Sequence, residues 1–164
     1  MRDGLVVRLA VEADAPVLTV MIDELNAHQG EETGHITVEA VQRDGFGPHP
    51  EFRVFLAELN GEPVGYALFH PTWSTEYGVR GFYLYDLYVR EAGRGQGAGR
   101  AMMAALARLA QQEGRTFLWW CSKPWNQDAQ AFYGRLNAIE EPNRAHALFG
   151  DAFAALAAEA GTPR

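Results

Sequence analysis

Apolar and polar positions fall into short runs along this chain, and each run predicts one element. Leu5-Val6-Val7-Arg8-Leu9 reads as a strand. From Ala13 to Ala27 the apolar positions Val17, Met21, Ile22 and Leu25 make one helical stripe, with Asp14 placed to cap it and Pro16 in its first turn. A polar loop from Gln29 to Gly34 precedes a short helix over Thr37–Arg43, capped by Thr37 and ended near Gly45. Phe52–Leu59 alternates as a strand, Asn60-Gly61 is a hairpin turn, and a partner strand runs from Pro63 to about His70. Phe82–Val89 is apolar on both faces, as a central strand would be, with Asp86 as its exception.

The second half continues with a helix over Gly97–Glu113, expected to bury Met102, Met103, Leu106, Leu109 and Ala110 and to stop at Gly114. Thr116–Cys121 is a further strand, Asn126–Leu136 a helix, Ala145–Phe149 a last strand, and the Ala-rich tail from Asp151 helical. The order β-α-α-β-β-β-α-β-α-β is that of an α/β (α+β) chain with a mixed sheet: antiparallel hairpins first, a crossover later. No repeat, linker or low-complexity stretch interrupts it, so residues 1–164 read as a single domain.

Composition narrows the function classes. At 164 residues, 48% hydrophobic and 21% charged, the chain is long enough for a real core. No stretch approaches the roughly 20 apolar residues of a membrane span, and Met1–Leu5 lacks the apolar run of a signal peptide, so no membrane partner is expected. One cysteine, Cys121, rules out an internal disulfide framework and fits a reducing, cytoplasmic setting. A net charge of −7 argues against a nucleic-acid partner and is compatible with a cationic amine substrate. The five histidines (28, 35, 49, 70 and 146) show no metal-ligand spacing with each other or with cysteine, so no metal is expected.

The densest signal lies at Tyr83-Leu84-Tyr85-Asp86-Leu87-Tyr88-Val89, followed by Arg94-Gly95-Gln96-Gly97-Ala98-Gly99-Arg100. A strand, a glycine turn and a helix start together aim backbone N–H groups and a positive helix end at one spot, which suits a pyrophosphate. The P-loop pattern fails here because no Lys-Ser/Thr follows the glycines, and the dinucleotide fingerprint fails because they recur at every second residue. What remains, Arg94-x-x-Gly97-x-Gly99 after a strand, resembles the acyl-CoA-binding motif of the GNAT N-acetyltransferases. Trp125–Tyr133 resembles the segment that carries that family's cofactor-binding Asn and acid-catalysing Tyr. Asp44–Pro50 resembles a loop of its diamine (spermidine/spermine) branch, and the likeness runs from Val6 to about Leu156.

The resemblance implies the GNAT fold, acetyl-CoA as cosubstrate, a small-molecule amine as acceptor and a homodimer. It implies cofactor contacts from Leu87, Tyr88 and Val89, from Arg94, Gly95, Gln96, Gly97, Ala98, Gly99 and Arg100, and from Asn126 and Tyr133. Tyr133 would be the general acid, since a phenol of pKa near 10 can protonate a leaving thiolate of about 8.5. Asp86, a carboxylate in an apolar strand, must have a partner or a raised pKa, and serves either catalysis or structure. Tyr85 stands where the diamine branch usually has an amine-contacting Glu, and His28-Gln29 stands where that branch has a second acidic residue. Both departures weaken a polyamine reading. Tyr85, Trp119, Trp120 and Cys121 are the expected acceptor-site lining, although strand tryptophans also serve cores and a lone strand cysteine is commonly a small buried hydrophobe. A protein or peptide acetyltransferase and a non-catalytic acyl-CoA-binding module are the rival readings.

Overall fold

The computed structural model describes residues 4–160, which form two compact units, one up to Cys121 and one from Ser122. In the first unit, five strands lie in sequence order across one sheet: β1 (Leu5–Leu9), β2 (Arg53–Leu59), β3 (Glu62–Ser74), β4 (Val79–Val89) and β5 (Phe117–Trp120). The first four pair antiparallel, and β5 joins β4 in parallel. That last pairing needs a crossover, which α3 (Ala98–Gln112) supplies. Strands β3 and β4 each extend beyond their expected bounds, as a long hairpin whose tip lies between Ser74 and Val79.

One sheet face is covered by α1 (Ala15–Gln29) and α2 (Val38–Phe46). Leu18, Met21, Leu25 and Val41 pack there on Val54, Leu56, Tyr66 and Leu68. Thr37 caps α2 as expected, its Oγ1 accepting from the Ala40 N–H at 3.1 Å. Asp14 does not cap α1; it holds the preceding turn through the Val11 N–H and takes both terminal nitrogens of Arg8, at 2.7 and 2.9 Å. Phe69 anchors the opposite face, stacked on Phe55 and edge-on to Phe82. Helix α3 packs across β1 to β5 and buries Met102, Met103, Leu106 and Ala110, while Leu109 is only half-buried.

The second unit contains α4 (Gln127–Gly134) and α5 (Gly150–Ala158). The strand expected at Ala145–Phe149 does not form: residues 135–149 carry no regular element, and α5 begins directly afterwards. The run Ala-His-Ala-Leu-Phe has no β-branched residue and, among the described residues, no ladder partner, so its apolar content alone does not make a strand. The tail from Asp151 is helical as expected.

Candidate active site

Strand β4 is paired on both sides only from Gly81 to Leu84, where β5 runs beside it. Past Leu84 the β5 ladder ends, and Tyr85–Val89 keeps only its β3 partner. At that same point the β3 register shifts: Leu84 stands opposite Phe69 while Asp86 stands opposite Leu68, leaving Tyr85 as an extra, bulged residue. A bulge breaks the period of two. Leu84 therefore lies on the Phe69 face, buried with Phe82, whereas Asp86 faces the α1/α2 layer with Leu68 and Tyr66. Tyr85 is turned outward and is 54% exposed.

Asp86 has both features required of a carboxylate in an apolar strand. The buried Tyr66 hydroxyl donates to its Oδ2 at 3.1 Å, and burial raises its pKa above the ordinary aspartate value despite that bond. Desolvation and the Asp86 carboxylate together push the Tyr66 phenol far upward, so Tyr66 stays a donor. Two residues on, Tyr88 sits beside Glu24 of α1, and burial followed by the Glu24 carboxylate raises the Tyr88 phenol. Glu24 itself is held below the usual glutamate range by Arg90, whose Nε and Nη2 both reach it at 2.8 Å. Arg90 also donates to the Pro63 carbonyl at 3.0 Å, so the open end of β4 is fastened to α1 and β3.

An aromatic group surrounds the bulge. His70 of β3 stacks on Tyr85 with ring centroids 4.7 Å apart and lies 5.6 Å from Tyr83, which in turn meets Tyr85 edge-on at 5.1 Å. Burial and a hydrogen bond with Cys121 push the Tyr83 phenol up to about 12. Cys121 lies just past β5 and is exposed, so it is not the buried hydrophobe that a lone strand cysteine suggested. Trp119, opposite Tyr83, is 40% exposed and is no core residue either, whereas Trp120 opposite Leu84 is half-buried. Tyr83 thus links Tyr85 and Cys121 where the two strands part, with Trp119 beside Tyr83, whereas Trp120, opposite Leu84, lies on the other face of the sheet.

Beyond β4, a one-turn helix at Glu91–Gly93 leads into the glycine loop and then α3. Gly95 and Gly97 have φ of +69° and +88°, which L side chains rarely adopt, and a Cβ at either would meet no protein atom. Gly97 is the N-cap of α3, so the first N–H groups of the helix, those of Ala98 and Gly99, have no partner four residues back within it. Arg94 Nε donates to the Val89 carbonyl at 3.1 Å and closes the loop against the strand. Gly95, Gln96, Gly97 and Arg100, with Ala101 and Ala104, line a shallow depression of about 360 Å³. Two left-handed glycines with open space at Cβ, a helix N-terminus and two arginines fit the diphosphate of a CoA thioester.

In the second unit, Asn126 caps α4, its Oδ1 accepting from the Ala129 N–H at 3.1 Å. Tyr133 lies one residue before the end of α4, half-buried, with its ring edge-on to Phe132 at 5.3 Å. Tyr66, Glu24 and Arg90 drew no attention in the sequence, and His70 entered it only as a strand end and as a histidine without metal-ligand spacing. Only their cross-strand and helix-to-strand partners single them out, and spacing does not announce such partners. No group of three His, Cys, Asp or Glu side chains that could hold a metal occurs among the described residues, and no helix is long and apolar enough to cross a membrane.

The chain and its fold resemble known proteins. The model of the acetyltransferase (GNAT) family matches residues 19–138. A thialysine N-epsilon-acetyltransferase of Sus scrofa is 34% identical over 144 residues, covering 82% of this chain and 84% of that protein. The spermidine/spermine N(1)-acetyltransferase-like protein 1 of Homo sapiens is 29% identical over 142 residues, 82% of this chain but 20% of that one. In three dimensions, an integron cassette protein from V. cholerae superposes with a TM-score of 0.78 at 20% identity, covering 94% and 98% of the two chains. An aminoglycoside acetyltransferase from an uncultured soil metagenomic sample follows at 0.75 and 21%, covering 91% and 97%. The chain belongs to the GNAT acetyltransferase family, and its sequence relatives are those of the diamine branch. It is an N-acetyltransferase.

Proposed function

We propose that this enzyme moves the acetyl group of acetyl-CoA directly onto the primary amine of a small acceptor of amino-acid or short-amine size, in preference to a long polycation. The observation that carries this reading is the lining of the site at the strand parting: Tyr85, His70, Tyr83 and Trp119, with no exposed carboxylate on β4. A polycation site should place a carboxylate at each end of its ligand, because each fully paired ammonium gains roughly 1.5–3 kcal/mol from charge-assisted hydrogen bonds. The thialysine enzymes among the relatives carry an amino-acid acceptor in their name, which suits such a lining.

The residues divide the work. Arg94 to Arg100 hold the diphosphate, and the backbone of Leu87, Tyr88 and Val89, unpaired on the β5 side, holds the pantetheine amides. Asn126 contributes to cofactor binding and Tyr133 donates a proton to the leaving thiolate. Asp86, already engaged by Tyr66, fixes the bend that presents Tyr85. Both units serve one acetyltransferase domain, which works as a cytoplasmic homodimer. The exposed apolar side chains Phe149, Phe153 and Leu156 of the second unit are suited to covering by a second copy.

Steady-state kinetics with spermine, spermidine, short monoamines and amino acids bearing a side-chain amine test the acceptor. A higher kcat/KM for the smaller amines is expected, and a value for spermine far above all of them would overturn the reading. Replacing Tyr133 by Phe should lower turnover by about 10²–10⁴ with little change in CoA affinity. An unchanged turnover number where chemistry limits the rate would remove Tyr133 from the mechanism.

A further inference from the structure

The amine acceptor arrives protonated. An alkylammonium has a pKa near 10.4, so well under about one per cent is nucleophilic at neutral pH, and a base must take the proton. Of the groups beside the bulge, Tyr85 is a phenol, and Asp86 has its Oδ2 engaged by the Tyr66 hydroxyl. His70 is different. Its ring is half-buried and stacked on Tyr85, and its Nδ1 lies 2.7 Å from the Pro71 carbonyl oxygen. A carbonyl only accepts, so Nδ1 carries the proton of the neutral ring and Nε2 is left with its lone pair.

We propose that His70 is the general base for the acceptor, its Nε2 taking the ammonium proton of an amine lodged against Tyr85 at the strand parting. This rests on the acetyl-transfer reading above. The R–NH₃⁺ acceptor gives one proton to Nε2, leaving R–NH₂ and an imidazolium. The amine nitrogen forms its C–N bond at the thioester carbonyl, the C–S bond breaks, the Tyr133 phenol protonates the thiolate sulfur, and the second nitrogen proton restores that phenol. Imidazolium then returns its proton to water, so one proton is released per amide and free thiol formed. The groups that meet His70 are the phenols of Tyr83 and Tyr85 on β4, with Cys121 behind Tyr83. Arg53 lies on the opposite sheet face, over the Phe69 and Phe82 rings.

Two measurements test this. Long-range proton–nitrogen NMR of the CoA-free protein should show neutral His70 protonated at Nδ1 and unprotonated at Nε2; the opposite tautomer overturns the proposal. In kinetics, His70→Phe keeps a ring against Tyr85 but removes the base. Its kcat/KM for an alkylamine should fall about 10²-fold, with the acidic limb of the pH profile lost and partial rescue by added imidazole. An acceptor amine of pKa near 7, already largely neutral, should lose far less. Equal losses for both amines, or a wild-type pH limb in the variant, would reduce His70 to a stacking platform. Unaltered melting and CoA binding in His70→Phe certify the fold. Absence of acetylation by the parent with every amine would instead defeat the acetyl-transfer reading itself.

Discussion

The two halves of β4 are made of similar residues and do opposite things. Gly81–Leu84 lies between β3 and β5, and its Phe82 and Leu84 are buried against Phe69 and the α3 layer. Tyr85–Val89 has β3 on one side only, begins with a bulge, and is fastened by side chains: Asp86 to Tyr66, and Tyr88 and Arg90 to Glu24. The first half gains its order from a ladder on both edges. The second half gains its order from charged and phenolic hydrogen bonds, which leave one backbone edge open for a ligand. Tyrosine serves both needs, since its ring packs and its hydroxyl ties or meets solvent. That is why the strand reads as uniform core in the sequence.

The comparison breaks most decisively in the closed half. Phe82 is fully buried, edge-on to Phe69 and beneath the Arg115 guanidinium at 4.6 Å. Phe82→Ala should cost about 3–5 kcal/mol of stability, read as a lower midpoint in denaturant, with CoA affinity of the folded fraction kept. If CoA binding weakened while the midpoint held, the division of labour along β4 would be wrong.

A smaller effect is expected where the open half ends. Gly97→Asp puts a side chain at φ +88° and a negative charge beside the diphosphate position, although its Cβ would strike no protein atom. Strain and charge together should weaken CoA binding roughly 10–100-fold by calorimetry, or about 1.4–2.8 kcal/mol. Affinity equal to that of the parent would move the diphosphate away from this loop.

What the sequence disclosed follows the same division. The glycine turn at residues 94–100 and the helix that it opens are local features that the sequence announces, as is the α2 cap at Thr37. The bulge at Tyr85 depends on the register of β3, which no pattern within β4 encodes. His70 and Tyr66 matter because of what faces them across the ladder, and Glu24 because Arg90 meets it from 66 residues away. Ala145–Phe149 erred the other way: an apolar run resembles a strand, but a strand needs an edge to join.

The mildest test concerns Asp86 and sharpens the account of the open half. Burial raises its native pKa, so the folded protein keeps this proton to a higher pH than the unfolded chain, where aspartate titrates near 3.9. Below that value both states hold the proton and the site costs nothing. As pH rises from about 3.9 through the native pKa, the unfolded state ionises first, and this contribution to stability is lost. Asp86→Asn removes the titration but leaves an amide oxygen for the Tyr66 hydroxyl. The variant and the parent should therefore melt together in acid and diverge toward neutrality, with the variant higher by a few degrees. A melting difference independent of pH would mean that Asp86 ionises as freely as in water, and the bend at Tyr85 would then need another anchor.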